Sequence, residues 1–562
     1  MKRPQPHGIS TDVLIIGGGL AGLNAAIAAA ERGVQVLVMD KGGIARSGSV
    51  GGGVDHFFAY LNEGESWDTR DGYLEYCANV ARGAVDLEIM DAIYCDELEA
   101  ALERMERIGA SLRFDGKSYL RSSSFGAKGS YWINFNGKRL KPALAKESRR
   151  LKVGVLEKTM ATRLFTHDGV VCGAAGFNIR TGELYAIKAK AIVGTTGNTV
   201  RLFKTPTNMA FNTWHCPYNT GDIFSMACDI GAELANMEYV RMSLMPKGFS
   251  AAGFNAIFSM GCKLVNGQGE YFMERYSKTA NKSARNVMVS SCVSELQAGR
   301  GPLYVDGRHL SAADRKHLMT LLGYDKDTLP DFLEAKGQAD LGTALIEIMI
   351  SEGSQAGPSE VVGAGILVDK NCASTVPGLF AAGESSHMQR CVHLCTTGGY
   401  HAGKAAADYA AKVNTPPELN ARDLKEEWKR TYAPLERRNG IRYNEFEDVV
   451  RSIMTDHLVP SKSETSLKTA MAKLTAFDPF KERLRADNTH ELMRVHEAQH
   501  IIEVGKIMCW ASLARKESRF PPYHYRTDFP EQNDDEFCGL IVVRKGRNSR
   551  IETRFQKLEY HF

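Results

Sequence analysis

Residues 12 to 53 hold the side chains and glycines whose types and spacing do recognisable chemistry. Asp12-Val13-Leu14-Ile15-Ile16-Gly17-Gly18-Gly19-Leu20-Ala21-Gly22 places four glycines where a buried strand turns into a helix. Gly17 permits the turn, Gly19 lets a pyrophosphate approach the backbone, and Gly22 lets helix and strand pack closely. The free N–H groups of the helix N-terminus face the phosphates. A second strand ends in Met39-Asp40-Lys41. Asp40, about 20 residues on from the turn, is the expected acceptor for a ribose hydroxyl, and Lys41 stands beside it. A second glycine run follows at Arg46-Ser47-Gly48-Ser49-Val50-Gly51-Gly52-Gly53, so Ser47, Gly48, Gly52 and Gly53 join the expected dinucleotide contacts.

The elements that must position these residues recur along the chain. Lys158 to Ile187 reads as an antiparallel meander, with turns at His167-Asp168-Gly169 and Arg180-Thr181-Gly182, and Ala161 in its first strand is a cofactor-contact candidate. Ala189 to Val193 is a buried strand running into Gly194-Thr195-Thr196-Gly197-Asn198, where the chain is expected to pass under the cofactor at Thr196 and Gly197. Asn219-Thr220-Gly221-Asp222 opens a helix. Leu379-Phe-Ala-Ala-Gly383-Glu384 puts an acid at a strand end, and Thr396, Thr397 and Gly398 are expected to open a helix whose positive end faces a flavin. The order and spacing of these segments point to FAD. The expected fold is α/β: a Rossmann-like FAD-binding domain (1–235 and 354–415) with an inserted α+β capping domain (236–353), a helical domain of three amphipathic helices (416–515) and a tail (516–562) carrying one strand at Leu540 to Arg544.

Composition excludes several classes. The 562 residues carry a net charge of only +4, with 43% hydrophobic and 24% charged residues interspersed in sign. That gives no nucleic-acid footprint and no membrane-surface patch. The apolar run from Val13 to Ala30 is broken by glycines and Asn24, so a strand–turn–helix explains it better than a signal peptide or a span. The twelve cysteines never occur as Cys-x-x-Cys, so no metal or iron–sulfur site is expected within the chain. Scattered thiols suggest a reducing, cytoplasmic setting.

From end to end the chain resembles the flavoprotein subunits of the succinate dehydrogenase/fumarate reductase family. The resemblance is carried by the opening turn, Arg46-Ser47-Gly48-Ser49, Thr220-Gly221-Asp222, Pro377 to Glu384, and Leu513-Ala-Arg-Lys-Glu-Ser-Arg519. Within the family it is most similar to the adenylylsulfate reductase alpha branch, through Lys41 to Gly53, Arg285-Asn286, Gly299 to Asp306 and His393 to Gly403.

The resemblance implies an enzyme with two candidate catalytic residues. Arg285 matches the arginine that acts at the flavin, and His393 matches a histidine of the substrate site in the adenylylsulfate branch. The flavin-linking histidine of fumarate-type members falls on Gly48, which implies non-covalent FAD. The fumarate-type substrate elements are replaced by Glu238-Tyr239-Val240-Arg241, by Glu360 to Gly365 and by His393-Leu-Cys-Thr-Thr-Gly, which argues against a C4 dicarboxylate. Further substrate candidates are Asp55, His56, Trp132 and Arg390, with His387 beside Arg390 and His401 read as helix packing. The implied partner is a ferredoxin-type iron–sulfur beta subunit, and the implied substrate is a small anion. The leading expectation is an adenylylsulfate reductase-like subunit. The alternatives are a flavin reductase or dehydrogenase of another anionic, unsaturated compound, and a non-catalytic FAD electron-transfer subunit.

Overall fold

A computed structural model describes residues 6–114, 116–123, 129–546 and 550–559. Its central sheet is built from strands that are apolar on both faces, as strands covered by helices must be. His7–Ile16 pairs in parallel with Val36–Met39 on one side and Leu184–Gly194 on the other, and Val36–Met39 pairs with Gly154–Leu156. Thr159–His167 and Val170–Asn178 form the expected antiparallel meander against the first half of Leu184–Gly194. Leu379–Ala381 takes over in parallel beside its last three residues. Four parallel strands thus end near one another at Ile16, Met39, Gly194 and Ala381. The crevice beyond such strand ends is where open α/β sheets bind ligands.

Two helices seal one face. Leu20–Glu31 and Cys391–Ala410 are rich in alanine and glycine and meet backbone to backbone. A Cβ on Gly399 would lie 2.4 Å from the Ala21 carbonyl oxygen, and one on Gly403 would lie 2.2 Å from that of Ala25. A side chain at either position would drive the helices apart.

The inserted segment builds its own antiparallel sheet from Leu244–Pro246, Ile346–Ile350, Leu303–Asp306 and Lys263–Val265. Helices Arg285–Gln297, Ala312–Asp325 and Thr328–Ala335 pack around it. This cap returns to the nucleotide-binding part at the second glycine run. There a Cβ on Gly53 would meet the Asp325 carbonyl oxygen, and Gly52 lies against the Lys326 side chain.

The C-terminal region differs from expectation in two ways. It holds four long helices rather than three, Ala421–Glu436, Tyr443–Leu458, Glu464–Phe477 and Thr489–Ala514. Short polar turns such as Arg437 to Arg442 separate them, too brief to stand out from a continuous amphipathic pattern. The tail carries a hairpin, Gly539–Lys545 with Ile551–Lys557, rather than one strand. The second strand is largely exposed and polar, so it lacks the alternation that marks a half-buried strand. Among the described residues no helix is long and apolar enough to cross a membrane.

Candidate active site

A cavity of about 850 Å³ opens beyond the four strand ends. Gly17, Gly19, Leu20 and Ala21 form one wall, where the first helix presents its N-terminal N–H groups. Gly22 lies beneath them. A Cβ there would fall 1.9 Å from the Gly17 carbonyl oxygen, so only glycine lets the helix start this close to the turn. Ser47, Gly48 and Ser49 face this wall, with Ala161, Thr196, Gly197, Asn219 and Glu384 further along. Gly48 has a left-handed φ of 80°, and a Cβ there would be 3.3 Å from Gly19 Cα.

Asp40 and Lys41 line the cavity but are already engaged. The Asp40 carboxylate accepts from the backbone N–H groups of Gly18 and Gly42, both at 2.6 Å, and from the Ser47 hydroxyl at 3.2 Å. It braces both glycine loops at once. Lys41 Nζ is 2.7 Å from Asp222 and 3.0 Å from Glu497. Burial opposes its charge, but the two carboxylates outweigh that and raise its pKa. Glu497 also binds Arg201 and Arg494. It belongs to the long helix Thr489–Ala514, which sends His490, Met493 and Arg494 to the cavity wall. The helical region therefore closes one end of the cavity, a contribution the linear sequence did not signal.

The opposite end is cationic. Arg241, Arg285 and Arg390 all reach the wall. Arg241 meets both oxygens of Glu360 at 3.1 Å, and Arg285 meets one at 3.2 Å. Arg285, the first residue of its helix, also donates to Asn255 and to Ser243. Arg390 donates to the Gly357 carbonyl and stands 3.9 Å from Glu384. Burial works against the Glu360 charge, yet Arg241, Arg285 and Arg390 hold its carboxyl well below the usual range. Burial and the neighbouring Arg390 push Arg241 down to about 10. Trp214 forms a platform, with the Arg285 and Arg241 guanidiniums 5.4 and 5.5 Å from its ring. His215 and Cys391 complete this end, the Cys391 thiol donating to Glu360 at 3.4 Å. Three guanidiniums around one shared carboxylate form a site for an anion with more than one acceptor group.

Arg241, Glu360, Trp214 and His215 were not among the expected site residues. A signal was present for two of them. The stretches that replace the family's substrate elements contain Arg241 and Glu360, residues of opposite charge that pair in the fold.

Several expected residues lie off the cavity wall. The helix expected to open at Thr396 begins at Cys391, and the Thr396 and Thr397 hydroxyls bond back to the Val392 and His393 carbonyls one turn earlier. The wall is lined instead by Cys391, Val392 and Cys395. Gly52 and Gly53 pack on the cap rather than on the cavity. His393 is fully buried, its ring stacked on Phe58 with centroids 4.7 Å apart and edge-on to Tyr94, and both ring nitrogens lack hydrogen-bond partners among the described residues. Burial, with some help from His56, pushes its pKa down to about 3, so it is neutral. Its apolar surroundings place it behind the wall. Trp132 is likewise buried and stacks on His56, which does line the cavity, and Asp55 holds that histidine from behind. His387 accepts from the Val368 N–H at 3.2 Å, and His401 bonds to Glu97 and to the Lys370 carbonyl.

The donor set fits FAD: a helix N-terminus and glycine turns for the pyrophosphate, hydroxyl and amide groups along the middle, and cations at the far end. Bound there, a flavin supplies two-electron chemistry with the option of single-electron release. Residues 12–398 match the FAD binding domain family, and residues 447–562 match the fumarate reductase flavoprotein C-terminal family. One subunit of the fumarate reductase (CoM/CoB) of Methanothermobacter marburgensis is 26% identical, covering 95% of this chain and 97% of that protein. The adenylylsulfate reductase alpha subunit of Megalodesulfovibrio gigas is 24% identical, covering 98% and 96%. In fold, adenylylsulfate reductase from Archaeoglobus fulgidus matches with a TM-score of 0.87 at 22% identity, covering 100% of this chain and 98% of that one. E. coli quinol fumarate reductase matches with a TM-score of 0.83 at 20% identity, covering 99% and 98%. With both family models matched in order and a cavity of the right chemistry between them, the chain belongs to the FAD-dependent oxidoreductases of the succinate dehydrogenase/fumarate reductase flavoprotein family.

Proposed function

We propose that this chain is a catalytic flavoprotein subunit of the adenylylsulfate reductase type. It would exchange electrons between a small oxyanion substrate and a separate ferredoxin-type iron–sulfur subunit. The observation that carries this reading is the convergence of Arg241, Arg285 and Arg390 on one end of the FAD cavity. Arginine forks suit sulfite, phosphate and carboxylate oxygens, and in a water-poor pocket they favour negative charge as it develops. Trp214 offers a flat apolar surface beside them, suited to a nucleobase or another planar group.

The test is anaerobic titration of the FAD-loaded protein with sulfite, with and without AMP, following flavin absorbance. Bleaching that AMP modulates is expected, with Arg285→Ala weakening the response about 10²–10³-fold. A flavin that ignores sulfite but is reoxidised by fumarate or another enoate would replace the substrate assignment. One observation favours that second reading, an organic acid substrate: His393, the histidine implied for the adenylylsulfate branch, is walled off from the cavity.

A further inference from the structure

Asp55 and His56 stand together where the second glycine run enters the strand His56–Phe58. Asp55 Oδ1 and His56 Nδ1 are 2.6 Å apart. This contact fixes the imidazole orientation and leaves Nε2 as the nitrogen that can meet a ligand. Two further constraints hold the ring. The strand pairs antiparallel with Trp132–Asn134, with His56 opposite Asn134. Trp132 stacks on the imidazole with centroids 4.7 Å apart and an interplanar angle of 26°. Asp55 is buried, whereas His56 reaches the wall of the cavity that holds the three arginines.

We propose that Asp55 and His56 form the proton-transfer dyad of this site, with His56 the catalytic acid–base residue and Asp55 its positioning residue. A bound reduced flavin would supply the two electrons of the reductive direction, and His56 would manage the proton. The proton on His56 Nε2 passes to the atom where negative charge develops, and neutral His56 regains a proton from solvent. The oxidative direction runs the same transfers backwards, with His56 as base.

The charges facing His56 suit the role. Besides Asp55 they are Glu360 at the arginine cluster and Asp325 at the end of the cap helix, while Lys326 faces Asp55 and neutral His393 lies behind. Burial alone would discharge the imidazole, but Asp55, then Glu360 and Asp325, outweigh it and raise its pKa. Burial likewise opposes the Asp55 charge, and His56 more than offsets it. Both shifts, His56 upward and Asp55 downward, favour the charged pair. The inference depends on the proposed function only in taking an anion as the substrate.

Diethyl pyrocarbonate modifies neutral imidazole, so the rate of modification at each histidine, read by peptide mass spectrometry against pH, reports its protonation. In the FAD-loaded protein His56 should become reactive at a higher pH than reference histidines in short unstructured peptides. Asp55→Asn should move that midpoint down, and sulfite or fumarate should protect His56 from modification. His56→Gln should slow the anion-driven change in flavin absorbance about 10²–10⁴-fold. A His56 midpoint no higher than the reference histidines, a midpoint unmoved in Asp55→Asn, or no modification of His56 at any pH would overturn the dyad. A normal dyad titration with protection by neither anion would leave the dyad standing and reject the proposed substrate class instead.

Discussion

Gly48 combines a left-handed φ of 80° with a tight approach to Gly19. Alanine there would bear about 1–2 kcal/mol of backbone strain and press against the Gly19 Cα. Gly48→Ala is therefore expected to lower stability in urea by about that much and to release FAD faster on dilution, measured by flavin fluorescence. Equal FAD retention in both proteins would show that this loop does not grip the cofactor. Asp40 makes a related point. Its residue type suggests a ribose acceptor, and in the fold its carboxylate both lines the cavity and ties the two glycine loops together. A side chain's chemistry is readable in isolation, whereas its partner depends on which loops lie beside it.

The long helix Thr489–Ala514 shows how an element far along the chain enters the site. Glu497 on its buried face meets Lys41, Arg201 and Arg494. Burial opposes its charge, but Lys41, Arg201 and Arg494 prevail and keep its folded pKa below the unfolded value. The stability it contributes is thus fully present above the ordinary glutamate pKa of about 4.3 and is lost as pH falls towards the folded value. Glu447, in the same network, is raised by burial, so its share has the opposite sign and is lost as pH rises. Glu497→Gln is expected to cost about 3–5 kcal/mol at pH 7, because Lys41, Arg201 and Arg494 lose their shared buried partner. It should also flatten the fall of the urea midpoint below about pH 4.3. An unchanged acid limb would assign that titration to other carboxylates. Neither the amphipathic pattern nor the spacing marked Glu497 as special, since it reads as one more acid on a mixed helix.

Across the whole molecule, one cavity is lined by the nucleotide-binding sheet, by Asn255 and Arg285 of the cap and by Arg494 of the helical region. A cofactor that touches all of them should tie them together thermodynamically. FAD at about a thousand times its Kd is expected to add about 4 kcal/mol to folding stability, read as a concentration-dependent rise in melting temperature. It should also slow proteolysis at the junction between the cap and the second glycine run. A melting temperature independent of FAD would mean that the cavity does not hold the cofactor as its lining suggests.

The amino-acid sequence made legible the strand–turn–helix at Gly17 to Gly22, the order of segments that line the cavity and the family. These depend on local rules: apolar runs that must be buried, glycines where the backbone must turn or touch, and motif order along the chain. It also pointed to Arg285, Arg390 and Asp55-His56 as residues of interest. Tertiary structure alone decided that Arg241 and Glu360 join Arg285, that Trp214 lies under two guanidiniums, and that His393 and Trp132 lie behind the wall. It also placed the start of a cavity-lining helix at Cys391 and brought the C-terminal helix to Lys41. Each of these depends on contacts between residues tens to hundreds of positions apart. The energies that select such contacts, burial and charge pairing, depend on neighbours in space and leave no periodic mark along the chain.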